Sequence, residues 1–425
     1  MRSRILCLVG LFLTIALSLS AHAQSGSLTT LWSFTGGIDG DTPKEGLVFD
    51  ASGNLYGASF FGSTVNDTYC QTGCGAVFQL KPAQGGAWAF ATLYSFAGGT
   101  DFGHPNGRLA VDQSGNVWGT ANEWGPGGFG GVFELSAANN WSESLIWSSY
   151  SGMGEQPAAG LTAHNGSWYG TTQFGRGYVD NGQVFSLTPG SNGQWNENVV
   201  HEFAAGSDGY EPQTELIFDQ AGNIYGSTPY GGSCGCGDIF ELSPVSGGLW
   251  KEKIIYQFPF FILGGSDYPS TLLLSNGVLY GTAGSGGSAS CGDYLGCGFV
   301  FELKRTGNTW QETTLYEFGG GSDGSTPGGG LVSDGKGNLY GGTLYGGTGA
   351  CVPYLGSGCG TIYKLSQSDG VWQKTTLYSF TGETDGEYPH GALVLDSAGD
   401  LFGITEGGYG ANGTYTNGTV FEFLQ

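Results

Sequence analysis

The sequence predicts an all-β fold: a seven-bladed β-propeller with four-stranded blades, closed by the N-terminal strand completing the last blade. Three observations predict it. Two strand motifs each occur seven times in a fixed order, a further strand motif opens the chain ahead of the first full repeat, and the chain stops one strand short of finishing the seventh. In a ring the surplus strand fills the missing place and removes two exposed sheet edges.

The first motif is a strand, a tight turn and a second strand, as in GLVFDASGNLYG at residues 46–57. Its second-strand core recurs at 116–119, 167–170, 223–226, 278–281, 338–341 and 400–403. The turns open with Asp50, Asp112, Asp219 or Asp334 and carry a glycine three residues on. Aspartate accepts from the backbone two residues later, and glycine takes the positive φ of a tight hairpin.

The second motif places an aromatic and a leucine two apart, from Val77-Phe78-Gln79-Leu80 to its last copy, Val420-Phe421-Glu422-Phe423. A period of two puts both large side chains on one face of a strand. The third ends in aromatic-x-Phe or a close variant, with its last aromatic at Phe34, Phe96, Tyr150, Phe203, Phe258, Phe318 and Phe380. A tryptophan opens six of these strands, from Trp88 to Trp372. No segment sustains a helical period.

The ordered set LYSF, DG-x-x-P, D-x-x-GNLYG and G-x-VFEL resembles the Gloeo/Verruco (GloVer) tandem repeats of exported bacterial proteins, over residues 27–425. The D-x-x-GNLYG piece also resembles NHL-type and gluconolactonase-like propeller blades. The GloVer resemblance implies export and a repeat architecture; that family brings no established activity. Many of its members resemble anchored proteins with a sorting tail, whereas this chain ends at Phe421-Glu422-Phe423-Leu424-Gln425, so no C-terminal anchor is expected.

Residues 1–23 read as a signal peptide: Arg2 and Arg4, an apolar run, then Ala21-His22-Ala23 as a cleavage site. Residues 24–425 are then one propeller domain, secreted to the periplasm or outside the cell and expected to be monomeric. Its formal net charge of −23 becomes more negative once the leader arginines leave. Such a field repels phosphate backbones and anionic lipid, which excludes nucleic-acid and membrane-surface partners, and no second apolar run is long enough for membrane insertion. Outside the leader the cysteines form local pairs, Cys70/Cys74, Cys234/Cys236, Cys291/Cys297 and Cys351/Cys359. They read as four disulfides, each within one loop; the one-residue spacing makes Cys234/Cys236 the strained member.

In an up-and-down blade, links between blades share a face with the loops joining second and third strands. The links carry Asp39, Asp101, Asp208, Asp267, Asp323 and Asp385, and the loops carry all four cysteine pairs. That face is expected to bind, because variable loops on a rigid scaffold carry recognition. Residues repeated in every blade usually serve the blade, so the six aspartates are read as local turn residues and no metal is assigned to them.

Departures from the repeat point better to function. Planar aromatics follow the second strand at Phe61, Trp124, Phe174, Tyr230 and Tyr345, suited to stacking on sugar rings. Glu123 and Trp124 lead the candidates, with Phe174 and the unusual Arg176, Tyr178 and Asp180 behind them. His104 and His390 occupy matching links and could act as a pair. The G-x-S-x-G matches at 231–235 and 320–324 have no strand-to-helix elbow around them and arise readily among 83 glycines.

No catalytic residue is assigned. The expected function is a binding or scaffold module for a glycan or protein ligand. The rival is a propeller glycoside hydrolase, lyase or lactonase using carboxylates near the central channel, with Ca²⁺ as its ion.

Overall fold

The computed structural model describes residues 26–63, 68–151, 154–175, 181–232, 235–258, 272–291, 296–351, 358–409 and 415–425. Seven sheets of four or five strands form a ring, each running from an inner strand outward with antiparallel neighbours. Short 3₁₀ turns are the only helical elements among the described residues.

The seventh blade closes as the strand count demands. Its order from the outer edge is Ser27–Ser33, Thr419–Leu424, Leu401–Thr405 and Pro389–Leu395. Thr30 lies opposite Phe421 and Trp32 opposite Val420. Beyond the strand, the Phe34 amide donates to the Gly418 carbonyl at 3.0 Å.

Each blade buries its repeated aromatic against its repeated glycine. Phe78, Phe133, Phe185, Phe240, Phe301, Tyr363 and Phe421 are fully buried. A Cβ at Gly170 would lie 2.7 Å from the Phe185 ring, and one at Gly281 2.5 Å from that of Phe301. The glycine ending each second-strand core is therefore a socket for the neighbouring ring. Blades are joined by the strand-opening tryptophans: Trp141 packs on Tyr56 of the preceding blade at 6.1 Å, and Trp310 on Tyr225 at 5.7 Å.

All seven outer strands carry a bulge at the same place, between Thr30 and Trp32, Leu145 and Trp147, and at Val77/Phe78, Val184/Phe185, Ile239/Phe240, Val300/Phe301 and Ile362/Tyr363 on the partner strands. An extra residue re-aims the side chain that follows it. Tyr94 thereby reaches both Asp101, at 3.3 Å, and Glu143 of the next blade, at 3.1 Å.

The link aspartates sit in local turns, as expected, with the carboxylate reaching back along the chain rather than forward. Asp39, Asp101, Asp208, Asp323 and Asp385 each accept an amide N–H from four residues upstream, at 2.5–2.9 Å. Four also bond the outer-strand aromatic: Trp32, Tyr94, Tyr316 and Tyr378. The carboxylate is thus a clasp between an outer strand and the link that leaves it. Asp267 lies outside the described residues.

Cys70–Cys74, Cys291–Cys297 and Cys351–Cys359 are disulfides, each within a single loop. Cys234 lies outside the described residues and Cys236 is buried. The stapled loops meet the inter-blade links: the carbonyls of Cys74, Cys297 and Cys359 accept the amides of His104, Thr326 and Tyr388 at 2.7–2.9 Å. Loops and links therefore do share one face. The three disulfides fit an oxidising compartment. No helix among the described residues is long and apolar enough to cross a membrane. The leader at 1–23 lies outside the described residues.

Candidate functional site

The candidates lie in two regions of the described residues, the central channel and, on the cysteine-bearing face, the seam where the first and second blades meet.

The channel is a cavity of about 870 Å³ walled by inner strands, with Phe49, Phe218, Leu274 and Leu395 among its lining. Its charge lies in Glu45, Arg108 and Glu215. Arg108 and Glu215 stand one residue before the repeated inner leucine, where the other repeats have Gly46, Gly160, Thr271, Gly330 or Ala392. A Cβ at Gly160 would lie 2.5 Å from the Arg108 carbonyl, so the glycine lets neighbouring backbones close on each other. Past it, the Arg108 guanidinium grips Glu215 in a fork of 3.1 and 2.9 Å. The Glu215 charge holds Arg108 above its ordinary pKa, while burial pushes Glu45 up. Glu215 is thereby committed to its partner.

The seam is built by two strands and two loops. The strand Val117–Trp124 ends in Glu123 and Trp124, after a register shift between Ala121 and Trp124 that changes how the two side chains are presented. Opposite them lie Gly103 and Phe102 of the incoming link. His104, at φ +55°, directs its imidazole back over the first blade, where Phe60 stacks on it at 4.8 Å and Phe61 meets it edge-on at 5.4 Å. Its Nδ1 is 3.2 Å from the Glu123 carboxylate, which it holds below its ordinary pKa. Lys44 lies over the far side of the Phe60 group, 4.7 Å from the ring centre.

Trp124 is held at φ +66° and packs against Tyr69 at 5.3 Å and 63°. Tyr69 is 44% exposed and precedes the Cys70–Cys74 staple. The indole N–H of Trp124 is buried, with no hydrogen-bond acceptor among the described residues. The seam thus offers flat apolar rings and an ionised carboxylate.

The structure therefore brings together three sequence candidates, His104, Glu123 and Trp124. His390 goes elsewhere: its Nδ1 is 2.5 Å from the Lys44 carbonyl, and Glu45 lies within its electrostatic reach. Phe174 ends its strand in a different blade, in register with Glu155. Arg176, Tyr178 and Asp180 lie outside the described residues. Sequence reasoning missed Phe60, Tyr69 and the Arg108–Glu215 pair. The last had a signal, since two charges replace glycine, alanine or threonine at one repeat position.

The family model of the Gloeobacter/Verrucomicrobia repeat matches residues 19–175 and 149–352. The chain belongs to this repeat family. No curated protein matches the sequence. Among solved structures, this member of the repeat family is similar to a protein from Lactobacillus plantarum, with a TM-score of 0.50 and 12% identity, covering 82% of this chain and 95% of that one. It is also similar to a mutant of the NanB sialidase from Streptococcus pneumoniae, with a TM-score of 0.43 and 12% identity, covering 93% and 70%. The Lactobacillus likeness is one of fold.

Proposed function

We propose that this propeller is an exported glycan-binding module that holds a neutral sugar in the seam between its first and second blades. The observation that carries the reading is the convergence of Tyr69, Trp124, Glu123 and His104, from loops and links far apart in sequence, which sets exposed aromatic surface beside an ionised carboxylate. Sugar rings present apolar C–H faces to aromatic planes and hydroxyls to carboxylates. Tyr69 and Trp124 supply the planes, and Glu123 accepts hydroxyl protons. The acidic surface disfavours anionic glycans. A hydrolase in the channel is less well supported, because Arg108 occupies one of the two carboxylates it would use.

The test is binding of neutral oligosaccharides to the mature protein by calorimetry, alongside Trp124→Ala and Glu123→Gln. Saturable binding that both variants weaken at least about tenfold is expected for lost stacking and a lost charged hydrogen bond. Binding indifferent to both, or binding of peptides alone, contradicts the reading.

A further inference from the structure

The clasp between the third and fourth blades departs from its siblings. Where the outer strand elsewhere presents Trp32, Tyr94, Trp147, Tyr256, Tyr316 or Tyr378, this one presents His201. The bulge between Val184 and Phe185 pairs His201 with Val184 and turns its ring toward Asp208 and toward Glu252 on the next blade's outer strand. We infer that His201, Asp208 and Glu252 form a binding site for a divalent transition-metal ion of the zinc class.

The spacing fits an ion better than it fits the clasp. His201 Nε2 lies 3.7 Å from Asp208 Oδ2 and 3.5 Å from Glu252 Oε1. Those separations are too long for hydrogen bonds, whereas Tyr316 and Tyr378 meet their aspartates at 2.8 and 2.9 Å. Ligand atoms around a tetrahedral ion with bonds of about 2.0–2.1 Å lie about 3.3–3.4 Å apart. All three ligand atoms fall within 4.8 Å of one another.

A second observation is independent of the spacing. Among the described residues, no well-formed hydrogen bond reaches the buried His201 Nε2 and Glu252 Oε1, and the polar group nearest Glu252 is the Asp208 carboxyl, a second acid rather than a donor. Beside them Asp238 is fully buried, and both its oxygens lack a well-formed hydrogen bond, although the Gln257 amide lies near. Buried polar atoms are normally satisfied, and a cation satisfies several at once. The three side chains remain 19%, 21% and 16% exposed, which leaves a face open for a bound water. Imidazole with two carboxylates suits Zn²⁺ or Mn²⁺; Ca²⁺ prefers an all-oxygen shell. A dipositive ion also cancels the two carboxylate charges.

The site lies outside the sugar seam and is tested separately from it. Metal-stripped mature protein is titrated with Zn²⁺, Mn²⁺ and Ca²⁺, following heat and melting temperature. One equivalent of Zn²⁺ is expected to bind and raise the melting temperature, with Ca²⁺ giving no shift from this site. His201→Tyr restores the residue of the sibling clasps and so keeps the fold; it is expected to lose that equivalent. Asp238→Asn is expected to weaken it about 10–100-fold, as a supporting neighbour does. No Zn²⁺ or Mn²⁺ bound to the wild type, or an equivalent that persists in folded His201→Tyr, overturns the inference.

Discussion

Trp32 lies opposite Val420 in an antiparallel pair that joins the two ends of the chain, and its indole stacks on Phe90 of the first blade at 4.2 Å and 8°. One residue thus serves the closing strand, the clasp to Asp39 and the contact with the next blade. Trp32→Ala is expected to cost about 2–4 kcal/mol, somewhat below a fully buried tryptophan because Trp32 is half-buried. Denaturant unfolding of the mature protein measures it. A loss under about 1 kcal/mol would mean that the closing strand adds little to the ring.

The glycine sockets make a second prediction. Gly170→Ala pushes a methyl to within 2.7 Å of the Phe185 ring and is expected to destabilise by about 1–3 kcal/mol. Phe185→Leu vacates that space, so the double substitution should cost less than the sum of the two single ones. Additive losses would show that the socket does not explain the glycine.

Acidity acts on the clasp at Asp101 through its neighbour Glu143. Burial, and then the neighbouring Asp101, pushes Glu143 up from 4.5 to about 8, with the Tyr94 hydroxyl donating to it. The folded protein therefore keeps a proton that the unfolded chain gives up. The stabilisation from this group is fully present below pH 4.5 and is lost as pH rises toward about 8. Glutamine mimics the protonated acid, so Glu143→Gln should match the wild type in acid and melt progressively higher above it across that window. A melting difference that does not vary with pH contradicts the assignment.

The staples close loops with sequence separations of 4, 6 and 8 residues, so each restricts few unfolded states. Replacing Cys291 and Cys297 together by alanine is expected to cost about 1–3 kcal/mol without unfolding the ring. Non-reducing peptide mapping should find all three local links. Free thiols in the exported protein would refute the staples.

The fold was legible because every blade repeats the same physical necessity. Phe78 and its counterparts need Gly57 and its counterparts, and a strand motif left over at the start must find the one missing at the end. Contacts between blades were harder to read. Glu143, Glu252 and Lys374 face the clasp from the next blade, and no fixed sequence distance identifies such partners. The reach of Asp101 back to the Ala97 amide depends on the path of the link, which a turn motif does not encode. In the seam, Trp124 and Glu123 stood out as departures from the repeat. Phe60 and Tyr69 did not, because only the folded loops bring them beside His104 and Trp124.

Ring closure is tested most directly by a cross-link across it. Thr29 and Glu422 lie opposite each other in the closing pair. With Thr29→Cys and Glu422→Cys in one mature chain, mild oxidation is expected to form an intramolecular disulfide in most molecules, seen by peptide mapping, and to raise the melting temperature. Two unlinked thiols, or links between separate molecules only, would mean that the first strand does not complete the last blade.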